Sequence, residues 1–234
     1  MTDPQKKTSI ITIDGPAAAG KSTAARLLAQ RIGFVLLDSG ALYRCVALHL
    51  LREKISPDAS RIPEEALSAL EISVKPGPLA MKVLLNGEDV TPLLRHESIS
   101  EAASRFSALP EVRQALLELQ RSTGARWDLV AEGRDMGTVV FPHARFKFFL
   151  IADLDERARR RYLELMGRGE RADLDQVRSH MIERDRRDAT RKASPLVMAA
   201  DAVAIDAGAL TPEEVVGRIM RVIEGYAANS NAAK

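Results

Sequence analysis

Residues 15–22 read Gly-Pro-Ala-Ala-Ala-Gly-Lys-Ser, and this segment has the clearest capacity for chemistry in the sequence. Its spacing matches the pattern G-x-x-x-x-G-K-[ST], in which glycines allow successive backbone N–H groups to turn toward an anion. Lys21 would reach the β- and γ-phosphates of a nucleoside triphosphate, and Thr23 is placed to touch the α-phosphate. The Ser22 hydroxyl is a hard oxygen donor of the kind that Mg²⁺ prefers. The segment therefore predicts a phosphate-binding loop whose default ligand is a purine nucleoside triphosphate with Mg²⁺.

The elements on either side of this loop support the same prediction. Ser9 to Asp14 is a short β-branched run typical of a buried strand, and Lys21 to Ile32 has helical spacing that ends at Gly33. The positive end of that helix dipole would face the bound phosphates. The alternative is an ordinary glycine-rich turn with an incidental lysine, and the strand-loop-helix context argues against it. The loop alone does not decide between a kinase, a GTPase and a nucleotide-gated switch.

Arginines near the predicted strand ends are candidates for binding a second anionic substrate. Phosphoryl transfer is mostly positioning and electrostatic stabilisation, so a kinase must gather positive charge where the phosphoryl group passes. Arg44 lies in the first turns of the helix after the second strand, and Arg134 follows the apolar run Leu129 to Ala131 at a strand tip. Residues 157–191 contain eleven Arg against seven Asp or Glu, with a polar connection at Gly167-Arg168-Gly169. This composition predicts a mobile flap that covers phosphates.

Two other interpretations of the arginine-rich segment stay open. A run of arginines interleaved with acids is most often a solvated face with i,i+4 ion pairs, and about half of these arginines are expected to be only that. RNA binding is the other interpretation, but the segment lacks aromatic side chains for base stacking beyond Tyr162. A nucleic acid is therefore not the expected partner.

Length and composition limit the class of protein. The chain has 234 residues, of which 46% are hydrophobic and 28% charged, and its net charge is only +2, so we expect one globular unit without a long-range basic field. The longest stretch without Asp, Glu, Lys or Arg is nine residues, whereas a membrane span needs roughly 20 apolar residues. Cys45 is the single cysteine, and the four histidines show no ligand spacing. We expect a cytoplasmic protein without a thiolate metal cluster.

Strands and helices alternate along the chain, which predicts the architecture. The predicted strands are 9–14, 34–37, 129–131, 146–151 and 202–205, and the predicted helices are 21–32, 41–51, 112–119, 155–166, 174–191 and one capped by Thr211 with Glu214. An antiparallel excursion over residues 72–95 has turn signals at Pro76-Gly77-Pro78 and Asn86-Gly87. Right-handed crossovers would make the main sheet parallel, with ligands beyond the carboxyl ends of its strands.

Further motifs accompany the phosphate loop along the chain. They are Ile13-Asp14-Gly15-Pro16, Leu37-Asp38-Ser39-Gly40-Ala41-Leu42-Tyr43-Arg44, Glu132-Gly133-Arg134-Asp135-Met136-Gly137-Thr138-Val139-Val140-Phe141-Pro142, Glu183-Arg184-Asp185-Arg186-Arg187-Asp188 and Ser194-Pro195-Leu196. Together they resemble the bacterial cytidylate kinases, within the nucleoside monophosphate kinase family. The resemblance extends from Ile10 to Ile223, and residues 133–142 are more specific than the phosphate loop.

The resemblance implies an α/β fold of the P-loop nucleoside monophosphate kinases: a central parallel sheet flanked by helices, a mobile monophosphate-binding insert and a lid. A single kinase domain over 1–234 would divide into a core of about 8–62 and 122–226, a monophosphate-binding region of about 63–121 with the antiparallel insert, and Arg-rich helices with the lid over about 157–192. The implied reaction transfers the γ-phosphoryl group of ATP, with Mg²⁺, to CMP and to dCMP in pyrimidine nucleotide metabolism. We expect a monomer.

The resemblance and the loop pattern together imply the site residues. ATP is assigned to Gly15, Pro16, Ala17, Ala18, Ala19, Gly20, Lys21, Ser22 and Thr23, with Ser22 also on Mg²⁺. Cytosine is assigned to Ser104, Arg113 and Asp135, the ribose to Arg184 and Asp188, and the monophosphate to Ser39, Arg44, Arg134 and Arg191. Tyr43 would stack near the nucleotide or simply pack, and the catalytic residues are Lys21, Arg134 and Arg184.

Several of these assignments have ordinary structural alternatives. Asp135 could form an internal ion pair with Arg134 or a neighbour, Ser104 could be a helix-surface hydroxyl, and Arg113 could be solvated. Which of Arg160, Arg161, Arg168 and Arg171 touches ATP stays open. Two rival functions share the loop: a kinase with another acceptor, and a nucleotide-switched RNA-binding protein.

Overall fold

The computed structural model describes the backbone of residues 8–75, 77 and 81–232, with side chains up to residue 226. Five strands, β1, β2, β6, β7 and β8, form a parallel sheet in the order β2-β6-β1-β7-β8, and β3, β4 and β5 form a small separate sheet. The strands are β1 (Ile10–Asp14), β2 (Val35–Asp38), β3 (Ile72–Lys75), β4 (Lys82–Leu85), β5 (Glu88–Asp89), β6 (Leu129–Gly133), β7 (Phe146–Ile151) and β8 (Val203–Asp206). The helices are α1 (Lys21–Ile32), α2 (Ser39–Arg52), α3 (Glu64–Ser68), α4 (Glu97–Phe106), α5 (Pro110–Arg126), α6 (Leu154–Gly167), α7 (Leu174–Thr190) and α8 (Pro212–Ala232). The predicted α/β class with a parallel sheet is confirmed.

The register of the central strands brings their carboxyl ends to one edge of the sheet. Asp14 at the end of β1 lies opposite Gly133 on β6, and Asp38 at the end of β2 lies opposite Glu132. The phosphate-loop sequence follows β1 directly, so it begins at this edge. Crossover connections in parallel sheets place binding residues at such an edge, as the sequence predicted.

Hydrophobic clusters cover both faces of the parallel sheet. On one face α1 and α8 pack against it through side chains that include Leu28, Phe148 and Ile219. On the other face α2, α4, α5 and the small sheet enclose side chains that include Leu42 and Phe106. Burying a large apolar side chain of this kind contributes roughly 1.5–3 kcal/mol, so these clusters hold the strand ends in fixed positions.

The antiparallel excursion is also confirmed. Strands β3 and β4 pair antiparallel, and β4 continues through the turn Asn86-Gly87 into β5. Asn86 and Gly87 have φ angles of 49° and 84°, as a tight type I′ hairpin turn requires. Of the other predicted turn, Pro76 and Pro78 lie outside the described residues. The third strand, β5, was not predicted because it has only two residues, both acidic and exposed.

The helices differ from the prediction at several places, since α3 was not predicted and α5 covers residues 110–126 rather than 112–119. Helix α4 was missed although its buried positions Ile99, Ala102, Ala103 and Phe106 have helical spacing, because two alanines give only a weak apolar signal. The final helix continues to Ala232, beyond the predicted core boundary at 226. Residues 136–140, for which no element was predicted, form a π-helical turn. The capping box is confirmed, since the Glu214 N–H donates to Thr211 Oγ1 at 3.2 Å and Thr211 N–H donates to Glu214 Oε2 at 2.8 Å.

Among the residues that the structure describes, no helix combines the length and apolar character needed to cross a bilayer.

Candidate active site

A cavity of about 630 Å³ lies at the carboxyl edge of the parallel sheet. Its walls come from the phosphate loop, the start of α2, α4, the tip of β6, and helices α6 and α7. The predicted site residues that line it are Ala17, Ala18, Gly20, Lys21, Ser22, Thr23, Ser39, Tyr43, Arg44, Ser104, Arg113, Arg134, Asp135, Arg184, Asp188 and Arg191. Three predicted ATP residues, Gly15, Pro16 and Ala19, do not line it. One cavity therefore joins the loop to the residues assigned to a second nucleotide.

The phosphate loop has the strained backbone that its sequence predicts. Gly15 has a φ of 144°, and a Cβ atom there would overlap the carbonyl oxygen of Leu150 on β7. Gly20, with a φ of 92°, precedes the first residue of α1. Lys21 is 5% exposed, and its Nζ donates to the carbonyl oxygen of Pro16 at 2.6 Å. The loop thus folds around its own lysine at the N-terminus of a helix, an arrangement suited to anions.

Positive charge is concentrated beside this lysine. Burial lowers the pKa of Lys21, the guanidinium group of Arg134 lowers it further, and the carboxylate of Glu132 opposes the shift. Burial also lowers the pKa of Arg184 to about 10, and Arg134 again acts in the same direction. Arg134 thus disfavours the charged forms of both Lys21 and Arg184, so a bound anion would stabilise this site.

Asp14 fixes the strand tip that carries Arg134 and Asp135. Its Oδ1 accepts from the Met136 N–H at 2.9 Å and its Oδ2 from the Gly137 N–H at 2.8 Å, so one carboxylate holds the start of the π-helical turn. Burial raises the pKa of Asp14 to about 6, although these two hydrogen bonds act against the shift. Neither Asp14 nor Glu132 was among the site residues predicted from the sequence. A signal for both was present, because each is an acidic residue at or next to the end of a buried strand, and each lies within one of the motifs.

Arg134, Asp188 and Arg191 form a second charged group in the cavity lining. Arg134 Nε donates to Asp188 Oδ2 at 2.9 Å, and Arg191 Nη1 lies 3.6 Å from Asp188 Oδ1. Burial works against ionisation of Asp188, but Arg134, Arg184 and Arg191 together hold its pKa below the ordinary value. The Asp188 carboxylate thereby orients Arg134, which follows β6, and Arg191, which follows α7, toward the cavity.

Arg113 and Asp135 form a buried ion pair between α5 and the end of β6. Arg113 Nη2 donates to Asp135 Oδ2, and Arg113 Nη1 donates to the Ser107 carbonyl at 3.1 Å. The Arg113 guanidinium carbon lies 5.1 Å from the centre of the Tyr43 ring. Arg113 is 7% and Ser104 5% exposed, so neither is the solvated surface group considered as an alternative. Asp135 does form an internal ion pair, but with Arg113 rather than Arg134.

Buried arginine nitrogens in this region lack a hydrogen-bond acceptor among the described residues. They are Arg44 Nε, Arg113 Nε, Arg184 Nε, Arg187 Nε and Arg191 Nη2. A buried donor without a partner costs about 1–3 kcal/mol, more when it is charged. All five arginines line the cavity. A cavity with this lining is suited to a ligand rich in anionic oxygens.

A family model of cytidylate kinase matches residues 11–225 of this chain. The chain belongs to the cytidylate kinase family. A cytidylate kinase of Carboxydothermus hydrogenoformans is 45% identical over 213 residues, covering 91% of this chain and 96% of the relative. A cytidylate kinase of Geobacter sp. (strain M21) is 47% identical over 215 residues, covering 92% of each chain. The family resemblance inferred from the motifs is confirmed.

A solved structure shares the fold of this cytidylate kinase family member. It is an uncharacterized protein from Eubacterium ventriosum, with a TM-score of 0.51 and 14% sequence identity, covering 94% of this chain and 99% of that protein. At this identity the likeness concerns the fold alone.

The arginines of residues 157–191 in this family member divide between the cavity and the surface, except for Arg157, which is buried outside the cavity lining. Six of the eleven arginines line the cavity, namely Arg160, Arg161, Arg171, Arg184, Arg187 and Arg191. Arg159 and Arg178 instead form exposed ion pairs with Glu156 and Asp155. The expectation that about half would be surface residues agrees with this division.

The four arginines whose contact with ATP the sequence left open differ in their contacts. Arg160 Nη2 donates to the carbonyls of Ala207 and Gly208 at 2.7 and 2.8 Å, which ties α6 to the segment before α8. Arg161 pairs with Glu97 of α4, and Arg168 donates to the Arg95 carbonyl at 2.9 Å. Arg168 lies outside the cavity lining, so Arg160, Arg161 and Arg171 are the better placed toward a nucleotide.

Proposed function

We propose that this protein transfers the γ-phosphoryl group of ATP to CMP, giving CDP and ADP, and that it accepts dCMP in the same site. The observation that carries this proposal is the cavity that contains both the phosphate loop and the buried Arg113–Asp135 pair. Membership of the cytidylate kinase family supports the same substrates. The proposal also predicts that region 63–121 and the lid over 157–192 move relative to the core when nucleotides bind.

The Arg113–Asp135 pair presents the hydrogen-bonding groups that cytosine needs. Cytosine has an exocyclic amine donor next to the acceptors N3 and O2, so a carboxylate can accept from the amine while a guanidinium donates to the ring. Ser104, which accepts from Arg187 Nη2 at 3.3 Å, supplies a further hydroxyl at the same wall. Uracil reverses two of these groups, which would leave buried partners unpaired at roughly 1–3 kcal/mol each.

The remaining arginines fit the sugar and the phosphates of the acceptor. Arg184 and Asp188 would hold the ribose, and Ser39, Arg44, Arg134 and Arg191 would surround the monophosphate. Arg44 is oriented for this by its 3.1 Å ion pair with Asp38, the N-cap of α2. The unpartnered nitrogens of Arg44, Arg184 and Arg191 would then be satisfied by acceptor oxygens.

Phosphoryl transfer in this cavity needs positioning and positive charge rather than a base. The acceptor atom is already an anionic phosphate oxygen, so no side chain has to remove a proton from it. Lys21, Arg134 and Arg184 stand together and would stabilise charge on the transferred group and on the leaving phosphate. Arg134 is half-buried in the cavity wall, and it is held there because Asp188 accepts from it and Asp14 fixes its strand tip.

The donor set near the loop fits Mg²⁺ shared with the nucleotide. Ser22 and Glu132 both line the cavity beside the loop, so a hydroxyl and a carboxylate supply two hard oxygen groups there. Within the described residues no cluster of three or more His, Cys, Asp or Glu could hold a metal alone. Ser22 would therefore bind Mg²⁺ together with phosphate oxygens. When bound, the ion would neutralise charge on the β- and γ-phosphates.

We also propose that the protein acts as a monomer in the cytoplasm, where ATP and CMP are available, and that nucleic acid is not a partner. Size-exclusion chromatography with light scattering tests the first point; a mass near the chain's 25.6 kDa is expected and twice that mass would contradict it.

Product identification tests the proposed reaction. The protein is incubated with γ-labelled ATP, Mg²⁺ and CMP, and the nucleotides are separated by chromatography. The labelled phosphoryl group should move into CDP. When CMP is omitted, the label should stay on ATP. Label that appears only as inorganic phosphate, or transfer that ignores CMP, would contradict the proposal.

A further inference from the structure

Arg157 is a buried arginine of α6 that lies outside the cavity lining. Its side chain is 8% exposed and donates to three acceptors. Nε donates to the Ala152 carbonyl at 2.9 Å, and Nη1 donates to Asp185 Oδ2 at 2.7 Å and to the Ala17 carbonyl at 3.3 Å. These acceptors belong to the β7–α6 connection, to α7 and to the phosphate loop. One guanidinium group therefore joins the donor-nucleotide loop to the helix that carries the acceptor residues.

An apolar cluster strengthens the same connection. Ala17 of the loop packs with Ala158 and Leu165 of α6 and with Val177 and Met181 of α7. The phosphate loop is thus in contact with both helices through a methyl group as well as through the Arg157 hydrogen bond. Movement of the loop backbone at Ala17 must be accommodated by these helices, because packed side chains have little free volume.

On α7 the partner of Arg157 is adjacent to the proposed acceptor site. Asp185 follows Arg184 directly and precedes Asp188 by three residues, so it is one helical turn from the carboxylate that accepts from Arg134. Asp185 also helps to raise the pKa of Arg134. Its second oxygen, Oδ1, is buried and has no hydrogen-bond partner among the described residues. The orientation of Asp185 therefore depends on Arg157.

We infer that Arg157 and Asp185 couple the two nucleotide sites, so that a nucleotide in the phosphate loop and CMP on α7 each tighten binding of the other. This inference rests on the proposed function. A loop of inward-facing N–H groups needs outward-facing carbonyls, and Arg157 holds the carbonyl of Ala17 in that direction. The bond to Ala17 is the longest of the three, so ordering of the loop by phosphates can shorten it and fix Asp185. Arg157 is a positioning residue, since it acts through Ala17 and Asp185.

Calorimetric titration of CMP tests this coupling. CMP is titrated into the full-length protein with and without saturating adenylyl imidodiphosphate, an ATP analogue that is not hydrolysed. The wild-type Kd for CMP should fall by about fivefold or more in the presence of the analogue. In Arg157→Met and in Asp185→Asn this ratio should approach one, and the double variant should lose no more than either single variant. Arg157→Lys keeps the charge but has a single nitrogen, so it cannot replace both the Nε bond to Ala152 and the Nη1 bonds to Ala17 and Asp185, and it should give an intermediate ratio.

The control is the exposed ion pair between the same two helices. Arg178 Nε lies 2.7 Å from Asp155 Oδ1, and the two side chains are 46% and 79% exposed. Arg178→Met removes a similar contact without touching the loop, and its ratio should equal the wild-type ratio. Thermal melts identify any variant that does not fold; if Arg157→Met fails to fold, Arg157→Lys and Asp185→Asn carry the test.

The outcomes separate this inference from the proposed function. Wild-type protein that binds both nucleotides without mutual effect would refute the coupling alone, as would folded Arg157 and Asp185 variants that keep the wild-type ratio. Equal loss in Arg178→Met would also overturn it, because any contact between the helices would then suffice. Wild-type protein that binds neither nucleotide would refute the proposed function and the coupling with it.

Discussion

The guanidinium of Arg113 and the carboxylate of Asp135 form an ion pair in which both side chains are more than nine-tenths buried. A buried pair is strongly destabilised when one partner is removed, because the other charge is left without compensation. Here the pair lies at the wall of a cavity and has hydrogen-bonding capacity left, including Arg113 Nε. It is therefore the group best placed to distinguish one base from another.

Replacing Asp135 should reduce base discrimination more than catalysis. In Asp135→Ala the ratio of kcat/KM for CMP to that for UMP should fall by about tenfold or more, because roughly 1–3 kcal/mol of discrimination depends on one acceptor. The KM for ATP should change little. Steady-state assays with both acceptors provide the measurement. Asp58→Ala, which removes an exposed partner of Arg105, is the matched control; an unchanged CMP to UMP ratio in Asp135→Ala would remove the base-reading assignment.

Replacing Lys21 should abolish most of the rate. In Lys21→Ala kcat/KM should fall by roughly a hundredfold to ten-thousandfold, since removal of one charged group from a transition-state site costs several kcal/mol. Lys82→Ala serves as control, because Lys82 pairs with Asp89 on the small sheet and is 66% exposed. Near wild-type turnover in Lys21→Ala, with a folded protein, would contradict the role of the loop.

Asp14 should make stability depend on pH in a distinctive direction. Burial raises the pKa of Asp14 from 3.8 to about 6, so ionisation of Asp14 opposes folding. The contribution of Asp14 to the free energy of unfolding therefore falls as the pH rises from 3.8 to about 6. The free energy of unfolding of wild type minus that of Asp14→Asn should decrease by about 2 kcal/mol between pH 4 and pH 6. Urea denaturation across this range measures the difference. A difference that is constant or rises with pH would show that the two backbone hydrogen bonds outweigh burial.

Gly15 should tolerate no side chain. Gly15→Ala should lower the free energy of unfolding by roughly 2 kcal/mol or more, because the φ of 144° is strained for alanine and the new Cβ would overlap the Leu150 carbonyl. Gly217→Ala in α8 is the control, since its Cβ would meet no atom within 4 Å and alanine favours a helix by about 1 kcal/mol. Denaturant titration of both variants measures the contrast. Equal stability of the two would mean that the loop backbone is not constrained as described.

Local patterns were sufficient for much of the fold and for part of the site. The strand before the loop, the loop and α1 were predicted because a β-branched run, a glycine motif and helical spacing occur in direct succession. Asp14 could not be assigned in this way, since its partner Met136 is 122 positions away and only the parallel register of β1 and β6 brings them together. The ion pair of Arg113 with Asp135 likewise depends on how α5 packs beside β6. The role of Arg157 depends on three acceptors from separate elements, so no local spacing indicates it.

The acceptor preference of the purified protein tests the central claim most directly. ADP formation is measured at fixed ATP and Mg²⁺ with CMP, dCMP, UMP, AMP and shikimate as acceptors, and kcat/KM is compared across the panel. CMP should give the highest value, with dCMP also used, UMP lower by about tenfold or more, and AMP and shikimate near background. A preference for any acceptor without a cytosine base, or ADP formation independent of the acceptor, would contradict the account.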